Sequence, residues 1–373
     1  MTIDNVRILI VFGLLLSGCE QTPSKHTAPK ARKVTSSVEK INIDHNDPEW
    51  LSSYGFFKGD MAALVPNTNV YSYAINTPLF SNYAKKERFV YLPEGKKVHF
   101  KTKGPLDFES GTVLIKNFLY IQDESNSDSK QRIIETRLLI NEDGVWKPLN
   151  YTWNDAQTDA QLNYVGKTET VQWNNRQGET KEVNYVVPNI NQCKNCHSVD
   201  KTISPIGVTA AQLNQRYRAI KEEINQLDYF KEIGRLTQFT NASDYDPMPV
   251  WNDILTGSIE NRAKAYLDAN CAHCHSAHGS AKNSGLYLEY HQQDNRARGV
   301  FKPPIAAGKG SGDFQYDIVP GKPKESIFIY RVGSVDPAIR MPELGRSIVH
   351  KEGLALLTQY IKELRLDNAS VSE

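Results

Sequence analysis

Two five-residue runs carry the most specific chemistry in this 373-residue chain: Cys193-Lys194-Asn195-Cys196-His197 and Cys271-Ala272-His273-Cys274-His275. A C-x-x-C-H run is the attachment pattern of a c-type haem. Two thiols at that spacing reach the two vinyl groups on one porphyrin edge and form thioethers. The histidine that follows is then held beneath the iron as its proximal ligand. The two runs use all but one of the chain's five cysteines. Other chemistries also use C-x-x-C, namely four thiolates around one zinc or a redox dithiol. Neither accounts for a histidine directly after each pair. The spacing therefore predicts two covalently bound haem c groups, held by Cys193, Cys196, Cys271 and Cys274, with His197 and His275 as iron ligands.

The distal ligands are less directly written. Of four methionines, Met341 precedes a proline in the loop before the last apolar stripe, and it is the expected distal ligand of the second haem. A following proline restricts the backbone beside such a ligand. A thioether opposite imidazole raises the reduction potential and closes the last coordination site, which points to electron transfer rather than oxygen activation. Met248, followed by Pro249, holds the corresponding place after the first motif, with His273, His278, His99 or an open site as rivals. The loop at Pro205 is where a carbonyl could receive the proximal histidine's other N–H.

The remaining cysteine bears on location. Ile8 to Leu16 is apolar but too short to span a bilayer, and Leu16-Ser17-Gly18-Cys19 resembles a bacterial lipobox. The expected reading is a leader over residues 1–18, lipidation of Cys19, and a Ser-, Thr-, Lys- and Pro-rich tether over 19–46. That places the chain at the bacterial cell envelope, lipid-anchored, with the outer membrane preferred, and facing the periplasm. A net charge of +1 gives no reason to expect a nucleic-acid partner.

Residues 47–190 have the texture of β structure. Runs such as Arg88–Leu92, Thr112–Tyr120, Ile133–Ile140 and Val183–Val187 are separated by turn sequences, of which Asn141-Glu142-Asp143-Gly144 is a hairpin signal. An antiparallel sandwich or barrel-like domain is expected there. A first haem module over 191–256 follows, with an amphipathic stripe through Ala210, Leu213, Tyr217, Ile220, Ile224 and Leu227 behind a capping box at Thr209 and Gln212. The second module, 257–366, runs helix, motif, glycine-rich loops, methionine, helix, and is followed by a tail at 367–373. The overall expectation is an α+β multidomain chain, with mainly α-helical cytochrome c-like haem modules behind the β domain.

These residues resemble a family of bacterial dihaem c-type cytochrome lipoproteins whose C-terminal module is similar to class I cytochrome c. The resemblance is carried by Leu79 to Ala84, Gly111 to Lys116, Glu135 to Leu139, Trp153 to Ala160, Ala265 to His275, Tyr316 to Pro323 and Met341 to Gly345. It implies a periplasmic single-electron carrier whose β domain docks a partner or an unknown substrate. The partners it implies are periplasmic or membrane redox proteins, and a β-helix-repeat protein. The alternative is a redox enzyme of the dihaem peroxidase type with one open haem site; catalysis by Glu135, Arg137, Asp155 or Asp159 is a weaker third reading, since these fit structural roles in a sheet.

Overall fold

Strands come first along the chain: β1 (Val70–Ser72), β2 (Lys85–Tyr91), β3 (Val98–His99), β4 (Asp107–Phe108), β5 (Val113–Ile121), β6 (Gln131–Glu142), β7 (Val145–Trp153), β8 (Ala160–Leu162), β9 (Lys167–Asn174) and β10 (Thr180–Val187). Short pairs follow at β11 (Ser198–Val199), β12 (Thr202–Ile203) and β13 (Leu236–Thr237). The helices are α1 (Ile190–His197), α2 (Ala210–Leu213), α3 (Gln226–Glu232), α4 (Ile259–Leu267), α5 (Ile327–Val332) and α6 (Lys351–Glu363). The computed structural model describes residues 41–43, 46–217, 224–305 and 308–365, which belong to one unit, Lys33–Glu373. The leader, Cys19, most of the tether and the tail lie outside the described residues. No described helix is long and apolar enough to cross a membrane.

A six-stranded antiparallel sheet, ordered β1-β2-β5-β6-β7-β8, organises the site. Alternation along β5 divides its two faces. Val113 and Ile115 join Phe89, Leu138, Ile140 and Tyr151 in one buried cluster. Leu114 and Lys116 point the other way, toward the cavity lined by Cys193, Cys196 and His197, and Phe118 packs on that face with Tyr120 and Tyr185. The same alternation keeps Leu119 in the first cluster, while a register shift at Phe118/Leu119 leaves Ile134 of β6 without a partner on β5 and puts Ile133, not Ile134, on the face of Leu138 and Ile140. The β6–β7 hairpin closes through Asp143 and Gly144, both at positive φ (52° and 89°). That is the two-residue turn the Asp-Gly sequence favours.

Mainly α-helical cytochrome c-like modules are not what the chain forms, and this expectation is corrected. Antiparallel strand outweighs helix, and the six α-helices among the described residues are short, from 4 residues in α2 to 13 in α6. The apolar stripe at Ile259, Ala263, Tyr266 and Leu267 yields one helix of 9 residues. Between the second motif and α6 the chain is largely irregular, interrupted by the 6 residues of α5. Helix α6 packs Leu357, Tyr360 and Ile361 against Ala263, Tyr266 and Leu267 of α4. A Cβ on Gly353 would lie 2.3 Å from the Tyr266 hydroxyl, so glycine permits this crossing.

The stripe from Ala210 to Leu227, expected as one amphipathic helix or as two with a bend, is divided between two short helices. Helix α2 ends at Leu213, α3 starts at Gln226, and residues 218–223 lie outside the described set. Tertiary hydrogen bonds compete with helix continuation. Gln212 accepts from Thr77 N (2.9 Å) and donates to Thr77 O (3.2 Å), while Gln226 accepts from Ala74 N (3.1 Å) and donates to Ala74 O (2.8 Å). Thr209 caps Gln212 N at 3.3 Å, but the Gln212 side chain serves Thr77 instead of closing the box.

Candidate functional site

The first motif lies on α1, a helix that follows directly on β10, where the run Val183–Val187 and Pro188 reads in sequence as a strand leading into Cys193. Pro188 ends β10, and Asn189 then starts the helix with a reciprocal capping box: its side chain accepts from Gln192 N (2.9 Å), and Gln192 accepts from Asn189 N (3.0 Å). Helical pitch puts Cys193, Cys196 and His197 on one face. The β11–β12 turn, with Asp200 and Lys201 at positive φ, folds the chain back so that Ser204 O accepts from His197 Nδ1 at 2.8 Å. That acceptor is the residue before Pro205. With Nδ1–H engaged, the imidazole presents an unprotonated Nε2.

The second motif leaves α4 through a π-helical turn, Asp268–Ala272, an irregularity common at functional sites. His275 repeats the arrangement of His197 with a different acceptor. The Ser284 hydroxyl gives its proton to Ala281 O (2.7 Å) and so accepts from His275 Nδ1 (3.0 Å). Burial lowers both histidines from 6.5 to about 4, keeping them neutral. Neutral imidazole with a free Nε2 is the form that binds a metal.

Each motif opens on a cavity. One of about 400 Å³ is lined by Cys271, Cys274, His275, Leu286, Phe328 and Met341. The other, about 200 Å³, is lined by Cys193, Cys196, His197, Arg88, Lys116 and Arg137 among others. These sizes approach or reach the range of small-molecule sites. Met341 and His273 line both. Met248 lines neither; it is buried 5% exposed, with its N–H on Ala211 O. His99 is engaged by Thr237 (2.7 Å) and Glu109 (3.2 Å), and His278 by Asp200 (2.9 Å). Of the residues weighed against Met248, the structure brings His273 to this cavity, and its Nδ1 is buried without a hydrogen-bond partner among the described residues.

The two motifs are neighbours. Ligand atoms of Cys196, His273 and Cys274 lie within 4.8 Å of one another, and Cys274 Sγ is 3.7 Å from Asn195 O. Contact between the two thiols acts on them in opposite directions, lowering Cys274 and raising Cys196. Burial pushes Cys193 up and Cys271 up to about 12. Cys193 and Cys271 are not in the three-residue cluster, so the two C-x-x-C pairs do not converge into one four-sulfur site. Sequence order alone carries no sign of this adjacency. Nor does it show that His350, 8% exposed, stacks on Phe80 at 4.2 Å and lines the first cavity.

Glu135, fully buried, accepts from Arg137 Nε (3.0 Å) and Tyr185 OH (2.6 Å). Asp159 is likewise buried and accepts from Ser52 N and Ala160 N. These are structural contacts, and Asp155 is exposed. No family model matches the chain, and no curated protein or solved structure matches it either.

Proposed function

We propose that this chain is a dihaem c-type cytochrome that passes single electrons, tethered through Cys19 to the bacterial cell envelope and facing the periplasm. One observation carries the reading. Both C-x-x-C-H histidines hold Nδ1–H on an oxygen acceptor, leaving Nε2 free, and each motif opens on a cavity. When bound, haem iron supplies reversible one-electron chemistry.

The chain's own residues then have separate tasks. Cys193, Cys196, Cys271 and Cys274 anchor, and His197 and His275 ligate. Ser204 and Ser284 orient the imidazoles. Met341 closes the second site against small ligands. Leu286, Phe328 and Val332 keep water from it. The adjacency of Cys196 and Cys274 supports transfer between two close centres. The resemblance to dihaem lipoproteins supports a redox partner in the periplasm or membrane, with a β-helix-repeat protein as a candidate.

A second reading rests on the Cys196–His273–Cys274 cluster, which offers zinc three of the four ligands a structural site takes. It leaves Cys193, Cys271, His197 and His275 without a role, so the haem reading is preferred. A pyridine haemochrome assay with a haem-stained denaturing gel decides between them. Two haems per chain that survive denaturation are expected; a colourless chain holding zinc overturns the proposal. Carbon monoxide binding by one reduced haem would turn the reading toward the peroxidase-like alternative.

A further inference from the structure

We infer that Arg88, Lys116 and Arg137 form a carboxylate cradle in the wall of the first motif's cavity, receiving the propionates of the haem attached at Cys193 and Cys196. The inference rests on the haem reading above and adds a role that neither motif carries.

The three cations stand directly opposite one another on adjacent strands. Arg88 of β2 pairs in register with Lys116 of β5, and Lys116 with Arg137 of β6. The row crosses two strand spacings, about 10 Å, and all three line the cavity that holds Cys193, Cys196 and His197. Like charges directly opposite on a sheet are destabilising. Arg88 is buried and Lys116 and Arg137 are half-buried, and withdrawing a cation from water is costly unless anions or acceptors compensate.

Compensation within the described residues is incomplete. Arg137 has Glu135. Arg88, 9% exposed, donates only to Lys86 O, at 3.3 Å. Lys116 meets no hydrogen-bond or ion-pair partner among the described residues; its ammonium sits 5.0 Å from the Phe118 ring. Lys86, on the same strand face, adds a further positive charge and donates to Leu79 O and Ala84 O. Glu135 beside Arg137 and Lys116, and Glu87 beside Arg88, are the carboxylates near the row; against Arg88, Lys116, Arg137 and Lys86 they leave positive charge in excess, and the cavity is where further anions would sit. Two carboxylates on a single porphyrin edge supply two negative charges, and arginine forks pair with carboxylates in bidentate fashion.

A free oxyanion offers the same chemistry, so the test separates the sources. The matured two-haem protein and its Lys116→Met, Arg88→Gln and Lys116→Arg variants are titrated spectroelectrochemically. Removing a cation beside a carboxylate favours the ferric form. In Lys116→Met and Arg88→Gln one potential should fall, with about a tenfold shift in its reduction equilibrium, about 59 mV for one electron. The other potential should stay, and Lys116→Arg should keep the parent values. Two retained haems with both potentials unmoved in both charge-removing variants would overturn the cradle while leaving the haem reading intact. Saturating inorganic phosphate should leave the parent potentials in place. A phosphate-dependent shift that vanishes in Lys116→Met would assign the row to a free anion and overturn the inference. A chain without covalent haem in the haemochrome assay overturns both this inference and the haem reading.

Discussion

Cys196, the second thiol of the first motif, lies with Cys274, the second thiol of the other, in a cluster whose ligand atoms are all within 4.8 Å. Neither is in a disulfide, and thiols this close can form one without the backbone moving far. The haem-free chain, exposed to an oxidant, should therefore form a Cys196–Cys274 bridge between motifs in preference to bridges within them. Peptide mapping by mass spectrometry reads this directly. Recovery of Cys193–Cys196 and Cys271–Cys274 bridges instead would show that the sulfurs do not meet in solution.

Met341, the distal ligand expected from sequence for the second haem, lines both cavities. Met341→Ala should open one iron and lower its potential, because a thioether opposite imidazole favours the ferrous state. The expected signature is loss of the methionine–iron charge-transfer band and carbon monoxide binding by one reduced haem per chain. An unchanged spectrum with no carbon monoxide binding would remove Met341 from the ligand set.

Much of the strand pattern was legible because alternation is a local property. Val113 and Ile115 against Leu114 and Lys116 separate the two faces of β5, and Asp143-Gly144 marks its hairpin neighbour turn. Helix lengths were not legible, because tertiary partners set them. Gln212 and Gln226 are spent on Thr77 and Ala74, and Asn214 donates to Ala242 O (3.0 Å) and Tyr245 O (2.6 Å), so the apolar stripe through them never becomes one helix. Helix α1 had a readable start in Asn189 and Gln192, obscured by the β-rich run before Pro188. The site's chemistry was written in the two motifs, but their proximity was not. It depends on contacts between distant loops, such as His278 with Asp200. Met248 looked apt from sequence order, yet it is buried away from both cavities.

Glu135 is the buried counterion nearest the cationic row, with Arg137 and Tyr185 as donors. Glu135→Ala leaves Arg137 uncompensated beside Lys116 and Arg88. A loss of about 3–5 kcal/mol in unfolding free energy is expected, the usual cost of breaking a buried pair from one side. Tyr185→Phe removes one hydrogen bond to the same carboxylate and should cost less, about 1–2 kcal/mol. Urea unfolding of the two variants checks both the magnitudes and their order. Equal and small losses would mean that water reaches the Arg137 guanidinium.

His350 should make the fold acid-sensitive. Burial lowers its pKa from 6.5 to about 4, with the Lys86 charge assisting and Glu352 opposing. Its ring is packed on Phe80, and its Nδ1 meets the Tyr266 hydroxyl at 2.9 Å. The unfolded chain takes up a proton near pH 6.5, while the native imidazole resists until about pH 4. The unfolded state therefore binds more protons between these values. Stability from this group is complete above about pH 6.5 and falls as pH drops toward 4, by up to about 3 kcal/mol at 1.36 kcal/mol per unit. His350→Gln should be less stable at neutral pH, through loss of the ring stack. Its unfolding free energy should fall less steeply than the parent's between about pH 7 and about pH 4.5. His197 and His275 share the same shift but are common to both proteins, so the difference in slope isolates His350. Parallel slopes in the two proteins would mean that the native imidazole titrates as it does in the unfolded chain, and that its packing against Phe80 is looser than the 4.2 Å stack implies.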